Sequence, residues 1–211
     1  LSKTLNKSKE EILVNLNKNI NEKEILLFKE YLKRRIKNEP IAYILEEKEF
    51  WSKKFNVNKN TLIPRPETEL IVQYLINIYK NKKIFLLDVG TGSGCILISI
   101  LNELPSSKGV GIDISSNALK IAKNNALLHR VDDRIKFYNK SIINLYNFKF
   151  DLLVSNPPYI ERKNIKNLDD GIRKYEPLIA LNGGNDGLDV IKKVIYKAKA
   201  ILKVNGKLAL E

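Results

Sequence analysis

With 211 residues, 44% of them hydrophobic, the chain is long enough for one α/β core with a small appendage. A single cysteine, Cys95, excludes an internal disulfide and fits a reducing cytoplasm. No apolar stretch is long enough to span a bilayer, and the first residues carry no signal-peptide pattern. The net charge of +13 does not by itself make a nucleic-acid binder. Only seven of the 37 basic residues are Arg, the side chain that reads bases and grips phosphate bidentately, and the lysines are scattered as on a solvated surface.

Taken in chain order, residues 1–37 read as helical. Asn21 is an N-cap, and Ile25, Phe28, Leu32 and Ile36 recur on one face. Pro40 stops the run. Residues 46–63 alternate aromatic or apolar with polar side chains around Lys53-Lys54 and read as a hairpin. The spacing over 66–80 predicts a helix with Leu70, Ile71, Tyr74, Leu75 and Ile78 turned inward.

From Lys83 a βαβ rhythm sets in. Strand 84–89, helix 93–103, strand 109–113, helix 116–128 and strands 134–138 and 150–155 are followed by a polar loop, a helix near 187–202 and strand 206–211. Alternating strands and helices predict a doubly wound, mostly parallel sheet of the Rossmann-like class. The implied organisation is a helical segment at 1–40, a β-hairpin linker at 41–65 and an α/β domain at 66–211. The chain lacks Met, at position 1 as elsewhere, and stops inside a strand, which reads as an internal piece of a longer protein.

Two strand ends carry the chemistry. The apolar run Ile84–Val89 leads into Gly90-Thr-Gly-Ser-Gly94 and then into an apolar helix. Glycines there allow positive φ and close approach of backbone to ligand, as in nucleotide-binding turns, though the spacing is neither the dinucleotide fingerprint nor a P-loop. The strand Gly109–Asp113 ends in a carboxylate about twenty residues further on, where a ribose diol is gripped in dinucleotide-type folds. A ligand-free tight turn and an N-cap role for Asp113 are the bland alternatives.

Asn156-Pro157-Pro158-Tyr159 follows the buried-strand run Asp151–Ser155. Two prolines remove two N–H donors and fix φ, and each pushes its preceding residue into extended geometry. What remains is a rigid run of carbonyl acceptors beside an Asn amide, suited to a planar –NH2 group with two hydrogens to give. A plain turn is the alternative. His129, beside Arg130 near a helix C-terminus, reads as a charge–dipole or surface residue. Cys95 reads as a small buried side chain.

Asp88-Val-Gly-Thr-Gly-Ser-Gly94, Gly111-Ile-Asp113 and Asn156-Pro-Pro-Tyr159 together resemble class I S-adenosylmethionine-dependent methyltransferases that act on exocyclic or amide nitrogen. Ile63-Pro-Arg-Pro-Glu-Thr-Glu69 and the segment from Tyr175 to Leu188 narrow the resemblance to the peptide chain release factor glutamine N5-methyltransferases, the PrmC/HemK family. Glu39–Ile44 and Glu49-Phe50 fit that family's junction between domains. The family has further helices before a start such as Leu1, two more strands after a position such as Glu211, and in some members a fused second methyltransferase.

The resemblance implies S-adenosylmethionine as cofactor, no metal, and a release factor as protein partner. It implies a monomer with no direct nucleic-acid substrate and no membrane. Cofactor binding falls to Asp88, Gly90, Thr91, Gly92, Ser93, Gly94, Asp113, Ser141 and Asn156. Asp88 orients either the loop or the cofactor's amine. Catalysis falls to Asn156, Pro157 and Tyr159: the Asn side-chain oxygen and the Pro157 carbonyl take the two amide hydrogens, and Tyr159 packs on the flat amide. Substrate binding adds Pro158, Arg65, Glu67 and Glu69, and the Glu176-Pro177 and Gly183-Gly184 segment either shapes the substrate mouth or is a loop alone. The chain departs from the family in one place. Lys140 stands where an acidic residue contacts the adenine region, leaving Ser141 or a backbone group to serve. Two other readings stay open: a nucleic-acid methyltransferase acting on adenine N6 or guanine N2, and a catalytically silent module that keeps the fold.

Overall fold

The computed structural model describes every residue except Leu16 and Lys18. The N-terminal segment is three helices: α1 (Ser2–Leu5), α2 (Lys9–Val14) and α3 (Glu22–Ile36). The helical character expected over 1–37 is thus divided among separate helices. Asn6 takes a left-handed C-cap at φ 49°, and Ser8 and Asn21 each open a new helix. Both close a capping box. Ser8 Oγ accepts from Glu11 N–H at 3.0 Å and Asn21 Oδ1 from Glu24 N–H at 2.9 Å, while each Glu carboxylate takes the N–H of its cap residue. Such a cap stabilises a helix start by about 1 kcal/mol. The face expected to carry Ile25, Phe28, Leu32 and Ile36 exists, but no residue of α3 is buried, and Ile36 is 79% exposed. The short α1 and α4 (Ile41–Leu45) pack on it.

Strands β1 (Glu47–Phe50) and β2 (Lys53–Asn56) form the expected hairpin. Its two-residue turn places Trp51 and Ser52 at φ 52° and 53°, the twist that matches paired strands. Phe50 and Phe55 point into the core. Helix α5 (Thr68–Tyr79) buries Thr68, Val72, Leu75 and Tyr79. The expected inward residues Leu70 and Tyr74 instead face out, at 69% and 65% exposed. Eight of the twelve positions of α5 are apolar, too many for one face, so its periodicity underdetermines the buried face.

The α/β portion follows as β3 (Phe85–Val89), α6 (Cys95–Glu103), β4 (Lys108–Asp113), α7 (Ser116–Leu128), β5 (Ile135–Asn139), β6 (Phe150–Ser155), the short α8 (Asp170–Arg173), α9 (Asp189–Ile201) and β7 (Leu202–Leu210). The sheet has the order β5-β4-β3-β6-β7, and every pairing is parallel. Strand β7 starts earlier than expected. Leu202 pairs with Phe150, residues 203–206 loop out, and pairing resumes at Leu152–Lys207.

Alternation sorts the strand side chains onto two cores. Leu86, Leu152 and Val154 meet α5 and α6, including the fully buried Leu75, Leu97 and Leu101. Leu87, Val110, Ile112 and Leu153 meet Val194, Ala198 and Ile201 of α9. Each such side chain contributes about 1.5–3 kcal/mol of burial. Because the chain leaves β3 toward β4 on one side and enters β6 on the other, the C-terminal ends of β3 and β6 diverge around a crevice, the topological switch point.

Candidate functional site

The crevice opens into a cavity of about 600 Å³, within the range of small-molecule sites. Its floor is the turn after β3. Gly90, Gly92 and Gly94 take φ of 70°, 55° and 82°, which L side chains adopt only at a cost. Gly90 and Thr91 N–H both donate to Ile112 O, at 2.9 and 3.0 Å, binding the turn to the end of β4. Gly90, Thr91, Gly92 and Ser93 line the cavity. Gly94 lies outside the lining and is the turn into α6, where a Cβ would meet Ile98 Cδ1 at 2.8 Å.

Asp113 stands at the cavity wall with both oxygens engaged. Gly92 N–H donates to Oδ2 at 3.0 Å and Ser115 N–H to Oδ1 at 2.8 Å. Each oxygen keeps a further lone pair. Burial pushes this carboxyl above its ordinary range, against the pull of those N–H groups. Asp88 lies beneath the turn, 1% exposed, rather than in the lining. Thr91 Oγ1 donates to its Oδ2 at 2.7 Å, and among the described residues its Oδ1 has no partner. Burial pushes Asp88 up to about 7, with the nearby Asp113 charge acting in the same direction.

A carboxyl raised in the folded state favours folding below its unfolded value of 3.8 and loses that contribution as pH rises toward about 7. Asp88→Asn removes the titration. In the ligand-free protein the melting temperature of this variant should gain on wild type between pH 5 and pH 8. A constant difference in thermal melts across that range would show that Asp88 titrates normally.

On the other side of the crevice, β6 delivers Asn156-Pro-Pro-Tyr159. Ser155 Oγ donates to Val89 O at 2.7 Å and ties the two strand ends together. Asn156, Pro157 and Pro158 line the same cavity as the glycine turn. Asn156 Nδ2 donates to Thr68 Oγ1 at 3.4 Å, and among the described residues Oδ1 has no protein donor. Tyr159 is not in the lining and is 57% exposed at the rim.

The segment expected at the mouth divides: Pro177, Leu178, Ile179, Ala180 and Asn182 line the cavity, while the Gly183–Gly187 loop does not. It packs behind the tetrapeptide: Ile160 N–H donates to Leu181 O at 3.1 Å and Gly183 N–H to Ile160 O at 2.9 Å. A Cβ on Gly183 would lie 2.8 Å from Pro158 O, and one on Gly187, at φ 77°, would lie 2.4 Å from Tyr159 O. Glycine is what lets this loop buttress the tetrapeptide.

The segment from Ile63 to Glu69 divides its expected roles. Arg65 reaches the cavity. It also donates to Glu176 Oε1 at 2.6 Å, while Glu176 Oε2 accepts from Ile63 N–H at 3.2 Å. The Glu176 carboxylate is 1% exposed, so this pair locks the segments around 63–69 and 175–188 together. Glu67 is exposed and outside the lining. Glu69 turns away: its Oε1 accepts from Trp51 N–H at 3.0 Å, fixing the hairpin turn. Thr68, passed over in the sequence, is the residue between them that lines the cavity.

Ser141 and Lys140 both line the cavity near Asp113. Lys140 N–H donates to Asp113 O at 3.1 Å, so its backbone serves the wall whatever its side chain does. Cys95 also lines the cavity, and burial pushes its thiol up to about 12, so it stays protonated and is no nucleophile at neutral pH. His129 is held by Lys54 O at 2.9 Å and by the Phe55 ring at 4.6 Å. Burial moves its pKa down, which favours a neutral ring pinning the hairpin over a charge at the helix end.

Asn125 carries a role that the sequence did not announce. Fully buried, it donates to Ser93 O at 2.8 Å and Asn56 O at 3.0 Å and accepts from Asn56 N–H at 2.8 Å. It joins the hairpin to the glycine turn. A polar residue in phase with Ala118, Ala122 and Ala126 on the buried side of α7 was the available signal. Among the described residues no helix is long and apolar enough to cross a membrane, and no cluster of three His, Cys, Asp or Glu is placed to hold a metal.

The PrmC N-terminal domain family model matches residues 1–45, and the methyltransferase small domain model matches residues 66–170. A release factor glutamine methyltransferase of Caulobacter vibrioides is 39% identical over 95% of this chain and 70% of its own length. A bifunctional methyltransferase of Rickettsia typhi is 40% identical over the whole chain, which spans 45% of that relative's length. In solved structures, a ribosomal protein L11 methylase from Lactobacillus delbrueckii subsp. bulgaricus superposes with a TM-score of 0.50 at 20% identity, over 68% of this chain and 59% of its own, a likeness of fold alone. On this identity and coverage, together with the match of its N-terminal residues, the chain belongs to the release factor glutamine methyltransferase family.

Proposed function

We propose that the protein transfers the methyl group of S-adenosylmethionine to the side-chain amide nitrogen of a glutamine in a peptide chain release factor. The observation that carries this reading is one cavity that holds both the positive-φ glycine turn and the acceptor-rich Asn156-Pro157 corner. The release-factor substrate comes from the names of relatives such as the Caulobacter protein.

The residues fit the cofactor. Bare backbone at Gly90 and Gly92 allows close approach, and Asp113 keeps lone pairs for a ribose diol. Ser141 and the Lys140 backbone flank the base end. When bound, the cofactor supplies an electrophilic sulfonium methyl.

The chain's own task is the nucleophile. An amide nitrogen is a poor one, since its lone pair is delocalised into the carbonyl. Asn156 Oδ1 and Pro157 O accept its two N–H groups, fix the amide plane and stabilise positive charge growing on nitrogen. No general base is needed at the amide, and its surplus proton goes to solvent. Tyr159 flanks the amide from the rim. Arg65, shared between this cavity and a second one of about 560 Å³ lined in part by Ile41, Ile63 and Gly171, stands where the substrate chain flanking the glutamine passes.

Incubation with labelled cofactor, a release factor, DNA and RNA side by side, followed by peptide mass mapping, tests the reading. Label should appear on one glutamine of the release factor and on neither nucleic acid. Label on adenine or guanine would replace this reading with nucleic-acid N-methylation.

A further inference from the structure

We propose that the second cavity, beyond Arg65, seats the main chain next to the acceptor glutamine, and that the buried Glu176 is a positioning residue that holds Arg65 to donate to that chain's carbonyl oxygens. This rests on the glutamine acceptor proposed above. A glutamine side chain puts its amide nitrogen only about 5 Å from its own Cα. With the amide at Asn156, the acceptor's main chain must therefore run along the rim of the methyl-transfer cavity. Arg65 is the residue that lines both that cavity and its neighbour of about 560 Å³.

The second cavity is built from three segments that are tied together. Arg35, Pro40 and Ile41 come from the end of α3 and the start of α4, Ile63 and Arg65 from the stretch before α5, and Asp169 to Ile172 from the segment around α8. Tyr175 Oη donates to Lys37 O at 2.8 Å and Tyr43 Oη to Thr61 O at 2.6 Å, and a Cβ on Gly171 would lie 3.1 Å from Asn38 O. These contacts preform the walls, so a bound chain need not order them.

The charges of the lining select the occupant. Arg65 carries five N–H donors, and among the described residues one is spent, from Nη2 to Glu176 Oε1 at 2.6 Å. Its side chain is 33% exposed, whereas the Glu176 carboxylate is 1% exposed and has its second oxygen held by Ile63 N–H at 3.2 Å. The guanidinium is thus fixed in place with donors to spare, and its charge is already balanced. Asp169 and Asp170 stand in the same lining, and Arg35 is tied back to Glu39 O at 3.2 Å. An anion gains little there. Neutral acceptors suit the site, and a polypeptide main chain supplies one at every residue. Pro40, Ile41, Ile63 and Ile172 offer apolar surface beside them.

The test measures release-factor binding to the full-length protein by calorimetry. Arg65→Lys keeps the charge beside Glu176 but loses the planar fork of donors. It should weaken Kd for the release factor about tenfold, the scale of one hydrogen bond from a charged donor at a part-exposed site. Ile41→Trp, at a side chain 59% exposed, fills the second cavity without disturbing the core and should weaken Kd by a similar factor. In both, turnover at saturation should fall less than binding, and the Kd for S-adenosylmethionine and the melting temperature should stay near wild type. Glu176→Gln should weaken release-factor binding too, yet add nothing in the Arg65→Lys background, since it acts through Arg65. Inorganic phosphate should displace the release factor no better than chloride at matched ionic strength. A wild-type Kd in Arg65→Lys or in Ile41→Trp overturns the proposal, as does specific displacement by phosphate. An equal loss from Glu176→Gln in both backgrounds, or a melting temperature that falls together with binding in Arg65→Lys, makes the pair structural and overturns the positioning role. Wild type that binds the release factor without methylating it removes the functional reading, and the Kd values still decide what the second cavity seats. A release factor that is not bound at all overturns both.

Discussion

Asn156→Ala should lower kcat by about 10²–10³ while leaving the Kd for S-adenosylmethionine near wild type. Asn156 caps β6 at the far wall of the cavity from the glycine turn, and its free Oδ1 is the side-chain acceptor aimed at the substrate amide. An interaction that strengthens as charge develops on nitrogen acts on the transition state more than on the bound substrate, so its loss falls on turnover. The fold should survive, because Asn156 is only half-buried and the frame around it, Ser155 on Val89 and Ile160 on Leu181, is made by other atoms. Single-turnover kinetics with calorimetry on the same preparation checks this. Near-normal kcat in folded, cofactor-bound Asn156→Ala would sink the mechanism.

Asp113→Ala should weaken cofactor binding by about 1.5–3 kcal/mol, the range for hydrogen bonds to a charged group. The structure adds a second route to the same loss. Asp113 accepts from Gly92 and Ser115 N–H, so it holds the glycine turn as well as offering its remaining lone pairs to a ribose. Asp113→Asn separates the two. It keeps one acceptor oxygen for a backbone N–H but removes the charge, and it should fall between wild type and Asp113→Ala. Unchanged affinity by calorimetry in Asp113→Ala would remove Asp113 from the cofactor site.

Local patterns made much of the architecture legible. The apolar runs at 84–89 and 150–155 appear as β3 and β6 within a residue or so, and helix 116–128 has the bounds read from its pattern. The strands are near-continuous apolar runs, as burial on both sheet faces requires, and the helix carries its buried residues at helical spacing, so the sequence suffices. Legibility failed where the local signal was ambiguous or was overlooked. In α5 apolar residues occupy nearly all faces, and the buried one was chosen by packing against α6. At Asn6 and Ser8 the break was written in the sequence, as an Asn before a Ser-x-x-Glu box, but the hydrophobic spacing hid it.

What the sequence determined by itself, then, is the parallel α/β order, the positive-φ turn at 90–94 and the rigid acceptor corner at 156–158, each a property of a few consecutive residues. The tertiary structure decided which distant residues complete them. Thr68 meets Asn156, Arg65 meets Glu176 across 111 residues, Asn125 joins Asn56 to Ser93, and Gly183 and Gly187 fit against Pro158 and Tyr159. It also turned Glu69 to the hairpin and left Glu67 in solvent. Neighbouring residues 67, 68 and 69 point about 100° apart on a helix, so which one reaches the cavity depends on the rotation of α5 against the sheet. That rotation is set by the packing of whole elements, and no local period encodes it.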